Sequence, residues 1–178
     1  MAASARQSSK LRILLMPFVL RHYHIVPFTD LAFHFHLAAA RPDDVEATVV
    51  ITPANASGLV YHQARLNVAT YAFLSVDGLP AGVENHSTVK SGDAWRVDSV
   101  VFDEKLMWQE SLIKERSPDL VIMDIHFWWN VDVATNMGVS CIKFHTMGTF
   151  PSLACLAYHT LPVGSMPLGW WLFQDFHR

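Results

Sequence analysis

Charged residues, cysteines and glycine-rich segments are all scarce in this sequence. Only 16% of its 178 residues are charged and 51% are hydrophobic, which excludes a disordered tail or a coiled coil and predicts one compact domain. The two cysteines, Cys141 and Cys155, are too few for a disulfide framework or, by themselves, for a zinc site. No apolar segment is followed by the glycine pattern of a dinucleotide fold or a P-loop, so an obvious phosphate cradle is missing.

An excess of basic charge and a long apolar run are also missing. Thirteen Lys and Arg against 16 Asp and Glu give a net charge of -3 with histidine neutral, so we expect no nucleic-acid partner. No run approaches the ~20 apolar residues of a membrane span, and the run at 13–20 is interrupted by Pro17 and lacks a signal-peptide cleavage site. We therefore expect a cytoplasmic protein, in which the glycosylation patterns at Asn55 and Asn85 have no meaning.

Short apolar segments alternate with helix-like segments along most of the chain. Strands are expected at 11–16, 47–51, 68–73, 120–123 and 140–144, and helices at 27–41, 54–65, 94–116, 129–137 and 150–158. This alternation predicts an α/β fold, a Rossmann-like parallel sheet with helices on both faces. The domain should cover residues 11–160, between a loose N-terminus at 1–10 and a tail at 161–178. Ligands of such sheets bind at the carboxyl ends of the strands.

Two residues at those strand ends carry groups suited to acid–base chemistry. His24 follows the first predicted strand, and Asp124 ends the fourth. A neutral imidazole can remove a proton from a hydroxyl group, and a carboxylate can hold the imidazole in the required tautomer. The alternative is a loop histidine without a catalytic role and an aspartate that caps the next turn.

A metal enzyme is a further alternative. His22 and His24 have ligand-like spacing, as do His34 and His36, and Asp124 could add an oxygen ligand. Because residues two apart on a helix point to different faces, His34 and His36 do not make a ligand pair. A metal-dependent hydrolase that uses His22 and His24 is the weaker hypothesis, and we expect no metal.

Seven short segments, in order along the chain, resemble the plant UDP-dependent glycosyltransferases that act on small molecules. The first is Leu14-Leu15-Met16-Pro17-Phe18, the second begins His24-Ile25-Val26-Pro27 and runs to residue 32, and the others lie at 52–55, 77–80, 117–119, 129–134 and 144–146. The resemblance covers residues 11–159 and implies the N-terminal half of a GT-B type glycosyltransferase. In that family two Rossmann-like domains face each other, and the N-terminal one binds the acceptor while the C-terminal one binds most of the UDP-sugar.

The resemblance also implies roles for individual residues. His24 matches the base that deprotonates the acceptor hydroxyl during inverting transfer, and Asp124 matches the aspartate that orients it. Thr146 matches a position that contacts the UDP-sugar donor. His126 and Phe127 match the variable wall of the acceptor pocket, although core packing explains the aromatic run at 127–129 equally well. The expected ligands are a small-molecule acceptor from plant secondary metabolism and a UDP-sugar co-substrate, with no other cofactor.

Two features depart from the family pattern. The loop before His24 is longer than usual and contains the bulky residues 20–23, which could displace His24 or allow His22 to replace it. The sequence also ends at Arg178, before a second nucleotide-binding half could begin. We therefore expect a truncated glycosyltransferase that lacks the C-terminal donor-binding domain. A catalytically inactive acceptor-binding fragment is the alternative.

Overall fold

A parallel β-sheet forms the centre of the chain. The computed structural model describes residues 10–39, 44–59, 66–73, 75–103, 107–127 and 130–146. Its five strands are β1 (Leu11–Met16), β2 (Val45–Ile51), β3 (Asn67–Thr70), β4 (Leu120–Asp124) and β5 (Ser140–Phe144). All neighbouring pairs are parallel and the order across the sheet is β3-β2-β1-β4-β5, which confirms the predicted α/β class.

Helices follow most of the strands. They are α1 (His22–Ala38), α2 (Pro53–Ser57), α3 (Ala94–Asp103), α4 (Met107–Arg116) and α5 (Asn130–Asn136), with short 3-10 turns at Ser91–Asp93 and Ile125–Phe127. The chain runs outward from β1 to β3 and then returns to β4 on the other side of β1. Because such parallel crossovers are right-handed, the two halves of the sheet place their helices on opposite faces.

The central strands are buried on both faces. Leu14, Leu15 and Met16 of β1 are almost fully buried, and Leu15 lies in register with Val49 of β2 and Ile122 of β4. A strand covered by helices on both sides needs continuous rather than alternating apolar character, as the sequence of β1 has. The core thus fixes the positions at which β1 and β4 end.

The chain divides into two compact units. The first is Met1–Phe144 and contains the whole sheet. The second is His145–Arg178, of which the structure describes only His145 and Thr146. The predicted helix at 150–158, the loose N-terminus at 1–9, the tail at 161–178 and Cys155 lie outside the described residues.

Several predicted boundaries are confirmed. The bounds of β1 and β5 match the prediction, and β2 and β4 contain the predicted segments. Gly138, two residues after the end of α5, has φ +70, the left-handed conformation expected of the glycine that follows a helix. There the backbone N–H of Val139 donates to the carbonyl of Ala134 at 2.9 Å.

The start of α1 differs from the prediction. The sequence places His24 in a loop and begins the helix at residue 27, whereas α1 begins at His22. The early start buries Ile25 and Phe28 in the core, a gain of about 1.5–3 kcal/mol for each apolar side chain that is fully buried. Pro27 is accommodated in the second turn, where it removes only one helical hydrogen bond. His24 is therefore held by a helix.

Within the helix expected at 94–116, the structure describes α3 and α4, and residues 104–106 lie outside the described residues. Two other segments are shorter than predicted. Strand β3 ends at Thr70 rather than at residue 73. Helix α2 ends at Ser57 rather than at residue 65, and the Ser57 hydroxyl donates to the carbonyl of Ala54. Serine and asparagine side chains compete in this way with helical hydrogen bonds, which weakens a helix.

Two buried asparagines join the loop after β3 to the loop after β1. The Asn85 amide donates to Oδ1 of Asn55 at 2.7 Å, and the Asn55 amide donates to the carbonyl of Val19 at 3.2 Å. The backbone N–H of His86 donates to the carbonyl of Leu20 at 2.9 Å. Both asparagines of the glycosylation patterns are thus structural, since their side chains are 4% and 7% exposed.

Replacing Asn55 by alanine is expected to lower the free energy of unfolding by about 1–3 kcal/mol, because the Asn85 amide and the Val19 carbonyl then lose a buried partner. Urea unfolding of the chain measures the loss. Ser57→Ala is the matched control, since Ser57 lies on the same short helix and is exposed. Equal stability of the two variants would show that the asparagine pair contributes nothing.

Candidate functional site

The site lies where the order of the sheet reverses. Strands β1 and β4 are neighbours, with Met16 in register with Met123. The chain leaves β1 toward β2 and leaves β4 toward β5, in opposite directions. Such a switch point opens a crevice outside the carboxyl ends of the strands. The first turn of α1 and the end of β4 meet at this point.

His24 and Asp124 form a buried pair there. Nδ1 of His24 lies 2.8 Å from Oδ2 of Asp124, and the side chains are 1% and 0% exposed. An ionised carboxylate can only accept hydrogen bonds, so Nδ1 carries a proton. In the neutral ring Nε2 is then the basic nitrogen. The sequence predicted this pair, and the structure brings the two residues together.

The environment of Asp124 favours its ionised form. Burial raises the pKa of this carboxyl. Hydrogen bonds from His126 and His24, together with the positive charge of these rings when protonated, lower the pKa by more than burial raises it, so it falls from 3.8 to about 2. Asp124 is therefore a carboxylate throughout the neutral range. A fixed negative charge beside His24 stabilises the imidazolium that forms when this ring takes up a proton.

His126 is a third member of the cluster. Nδ1 of its ring lies 2.7 Å from Oδ1 of Asp124, and its backbone N–H donates to the same oxygen at 3.1 Å. The ring stands perpendicular to that of His24, at an angle of 89° and with 4.8 Å between centroids. The sequence prediction assigned His126 to the acceptor wall and missed this bond to Asp124. The available signal was the Asp-x-His spacing after a strand, because aspartate readily accepts a bond from the N–H two residues on.

A comparison with known proteins identifies the family. No protein-family model matches the chain. UDP-glucosyl transferase 73DL1 of Saponaria officinalis is 32% identical over 137 residues, which are 72% of this chain and 27% of that protein. The chain belongs to the plant UDP-dependent glycosyltransferases. The family that the seven short segments predicted is thus confirmed.

Two further comparisons are with a second plant glycosyltransferase and with a solved glycosyltransferase structure. UDP-glucose flavonoid 3-O-glucosyltransferase 7 of Fragaria ananassa is 28% identical over 88% of this chain and 32% of its own. The crystal structure of Glycyrrhiza uralensis UGT73P12, complexed with glycyrrhetinic acid 3-O-monoglucuronide, has a TM-score of 0.65 at 21% identity and covers 89% of this chain and 33% of its own. The fold is that of a GT-B glycosyltransferase. The chain spans between 27% and 32% of the length of its curated relatives.

The segment before His24, which the sequence predicts to be a loop with bulky residues at 20–23, leaves His24 beside Asp124. Leu20 is buried in the core, and the rings of His22 and Tyr23 lie outside. Tyr23 is 57% exposed, and its ring centroid is 4.5 Å from that of His24. The bulky residues of this segment are thus divided between the core and the exposed start of α1, and the hydrogen bond between His24 and Asp124 is kept.

The two remaining predicted site residues have different surroundings. Phe127 is 1% exposed and packs edge-on against Phe18 and Trp108, so it is a core side chain, and a contact with acceptor stays a prediction. Thr146 belongs to the second unit, and its contact with the donor also stays a prediction. In the described part of the chain, no helix has the length and apolar character that crossing a bilayer requires.

One group of side chains within the described ranges has metal-ligand chemistry. It consists of His24, Asp124 and His126, whose ligand atoms lie within 4.8 Å of one another. The nitrogen–oxygen distances of 2.7 and 2.8 Å are those of hydrogen bonds. Two ligand atoms bound to one tetrahedral zinc ion, each about 2.0–2.2 Å from the metal, lie further from each other than these nitrogen and oxygen atoms do. His22 is exposed and does not belong to this group.

Proposed function

We propose that this chain is the acceptor-binding half of an inverting glycosyltransferase, which moves a sugar from a UDP-sugar to a hydroxyl group of a small molecule. The observation that carries the proposal is the buried pair of His24 and Asp124, held 2.8 Å apart at the switch point of the sheet. Membership of the plant glycosyltransferase family supports it. The pair has the residue types and the arrangement that general-base catalysis requires.

In the proposed reaction, His24 acts as the base and Asp124 orients it. Nε2 of His24 takes the proton of the acceptor hydroxyl as its oxygen attacks the anomeric carbon of the sugar. The new carbon–oxygen bond forms on the face opposite the UDP, and UDP leaves with the electron pair of the old bond. The imidazolium of His24 is stabilised by the Asp124 carboxylate, whose low pKa keeps it ionised.

The names of relatives suggest the ligand classes. The Fragaria ananassa relative is a UDP-glucose flavonoid 3-O-glucosyltransferase, and the Glycyrrhiza uralensis structure holds glycyrrhetinic acid 3-O-monoglucuronide. We propose a hydroxylated, largely apolar plant metabolite as acceptor and a UDP-sugar as donor, with no additional cofactor. Thr146 is the proposed donor contact of this chain. A cytoplasmic location, expected from the composition, stays a prediction.

Two forms of the proposed function differ in whether a donor-binding half is present. The chain spans about a third of its relatives' length or less, so transfer is proposed to need a donor-binding half in addition to these 178 residues. A chain without that half is proposed to be an acceptor-binding fragment, because the base has no activated sugar within reach. Sequencing the native transcript beyond the codon for Arg178 shows whether the same gene encodes the second half.

A chimera tests the proposal directly. We expect the 178-residue chain, joined to the C-terminal half of the Fragaria ananassa relative, to transfer glucose from UDP-glucose to a flavonoid, with the product identified by mass spectrometry. The chain alone should quench tryptophan fluorescence on binding the flavonoid and form no product. A folded chimera that binds UDP-glucose and the flavonoid but forms no product would overturn the proposal of catalysis and leave the acceptor-binding fragment.

A further inference from the structure

The two oxygens of the Asp124 carboxylate have different partners. Oδ2 accepts one hydrogen bond from the ring of His24. Oδ1 accepts two, from the ring Nδ1 of His126 and from its backbone N–H. A carboxylate group is planar, so two donors that fix the direction of Oδ1 also fix the direction of Oδ2. The direction of the hydrogen bond between Oδ2 and His24 therefore depends on the donors to Oδ1, although Oδ1 has no bond to His24.

The ring of His126 is held in place by aromatic packing. It stacks on the ring of Phe18 with 4.5 Å between centroids and 21° between planes. Phe18 is buried and meets the buried ring of Phe127 edge-on at 5.8 Å. The backbone of His126 is fixed by the 3-10 turn Ile125–Phe127 that begins directly after Asp124. A supported ring loses little further freedom when it donates a hydrogen bond.

We propose that His126 is a positioning residue, which fixes the Asp124 carboxylate through Oδ1 and so aims Oδ2 at Nδ1 of His24. His24 then keeps its proton on Nδ1 and presents Nε2 as the basic nitrogen. The catalytic meaning of this arrangement rests on the proposed function. The arrangement itself is a property of the chain and can be tested without sugar transfer.

The charge balance of the cluster agrees with this role. Burial raises the pKa of the Asp124 carboxyl, and the hydrogen bond from His126 is the largest of the effects that lower it, ahead of the bond from His24. Among the residues that the structure describes here, the other ionisable neighbours are Tyr23, against the His24 ring, and Arg21, whose guanidinium carbon lies 5.9 Å above the Tyr23 ring. Both histidines thus stabilise the carboxylate, His126 through its bonds to Oδ1 and His24 through its bond to Oδ2.

The test uses nuclear magnetic resonance of the 178-residue chain, labelled with ¹⁵N in histidine and ¹³C in aspartate, in buffer with EDTA. In the wild-type chain at neutral pH, the ring of His126 should carry a proton on Nδ1, as should the ring of His24. A His126 ring protonated on Nε2 alone has no Nδ1 proton to donate to Asp124 and would overturn the proposal.

Two substitutions of His126 separate hydrogen bonding from packing. His126→Phe keeps a ring against Phe18 and removes the donor to Oδ1, whereas His126→Gln keeps a donor. We expect His126→Phe to raise the pKa of the Asp124 carboxyl from about 2 by about one unit and to broaden or lose the Nδ1–H signal of His24. His126→Gln should lie between His126→Phe and wild type. His34 is exposed and lies about three turns beyond His24 on α1. His34→Gln is therefore the matched control and should change neither signal.

The outcomes distinguish this inference from the proposed function. An Asp124 titration and a His24 signal that are unchanged in His126→Phe would overturn the positioning role, even if the chimera transfers sugar. Changes in both, with recovery in His126→Gln, would support the role even if the chimera is inactive. If His126→Phe does not fold, two measurements still test the proposal. They are the protonation of the His126 ring in the wild-type chain and the titration of the Asp124 carboxyl in His126→Gln.

Discussion

Replacing His24 by alanine is expected to lower sugar transfer by about 100- to 10,000-fold, the usual contribution of a positioned general acid or base. The reason is geometric, because His24, the proposed base, is held at the switch point by α1 and by its hydrogen bond to Asp124. Without it the acceptor hydroxyl must lose its proton to water while it attacks. The loss should therefore fall on kcat, with little change in the apparent affinity for the acceptor.

The measurement is steady-state kinetics of the chimera with UDP-glucose and a flavonoid, alongside a check of folding. His24 is buried, so alanine leaves a cavity and lowers stability as well. His24→Gln fills more of the space and keeps a group near Asp124, so it serves as the better folded variant. His34→Ala, at an exposed position of the same helix, should keep full turnover. Preserved turnover in both His24 variants would remove His24 from the mechanism.

Much of the fold could be predicted from local sequence. The apolar runs of β1 and β4 and their alternation with helices determine a parallel sheet, and the end of each run gives the end of its strand. His24 and Asp124 follow from the rule that ligands bind where such strands end. Their assignment as base and orienting residue came from the resemblance to the glycosyltransferases, because spacing alone cannot show that two side chains touch.

What could not be predicted depends on contacts between distant segments. The start of α1 is set by burial of Ile25 and Phe28 against the sheet, which outweighs the local preference of Pro27 for the first turn of a helix. Asn85 finds Asn55 across 30 residues of sequence, and no local pattern pairs them. His126 donates to Asp124 while Phe18, in the loop after β1, supports its ring. In each case tertiary packing decides.

Replacing Asp124 by asparagine is expected to lower turnover by about 100- to 10,000-fold, since loss of the carboxylate that orients a catalytic histidine has an effect of this order in serine proteases. The carboxylate accepts hydrogen bonds from the N–H groups of two imidazoles, one at Oδ1 and one at Oδ2. An asparagine offers one oxygen and one amide nitrogen, so one imidazole must take the other tautomer or lose its bond. The apparent affinity for UDP-glucose should change little, and an equal loss of donor affinity would indicate a structural role instead.

The same substitution has a pH-dependent effect on stability that needs no second half. The pKa of Asp124 is lowered from 3.8 to about 2, so its ionisation stabilises the folded chain. This contribution, about 2 kcal/mol, is fully present above pH 3.8 and is lost as the pH falls toward 2. In urea unfolding at pH 6, 4 and 3, the advantage of wild type over Asp124→Asn should therefore shrink as the pH falls. Asp30→Asn, at an exposed residue of α1, is the control. A constant gap between wild type and Asp124→Asn across that range would mean that the buried carboxylate is not stabilised by its two histidines.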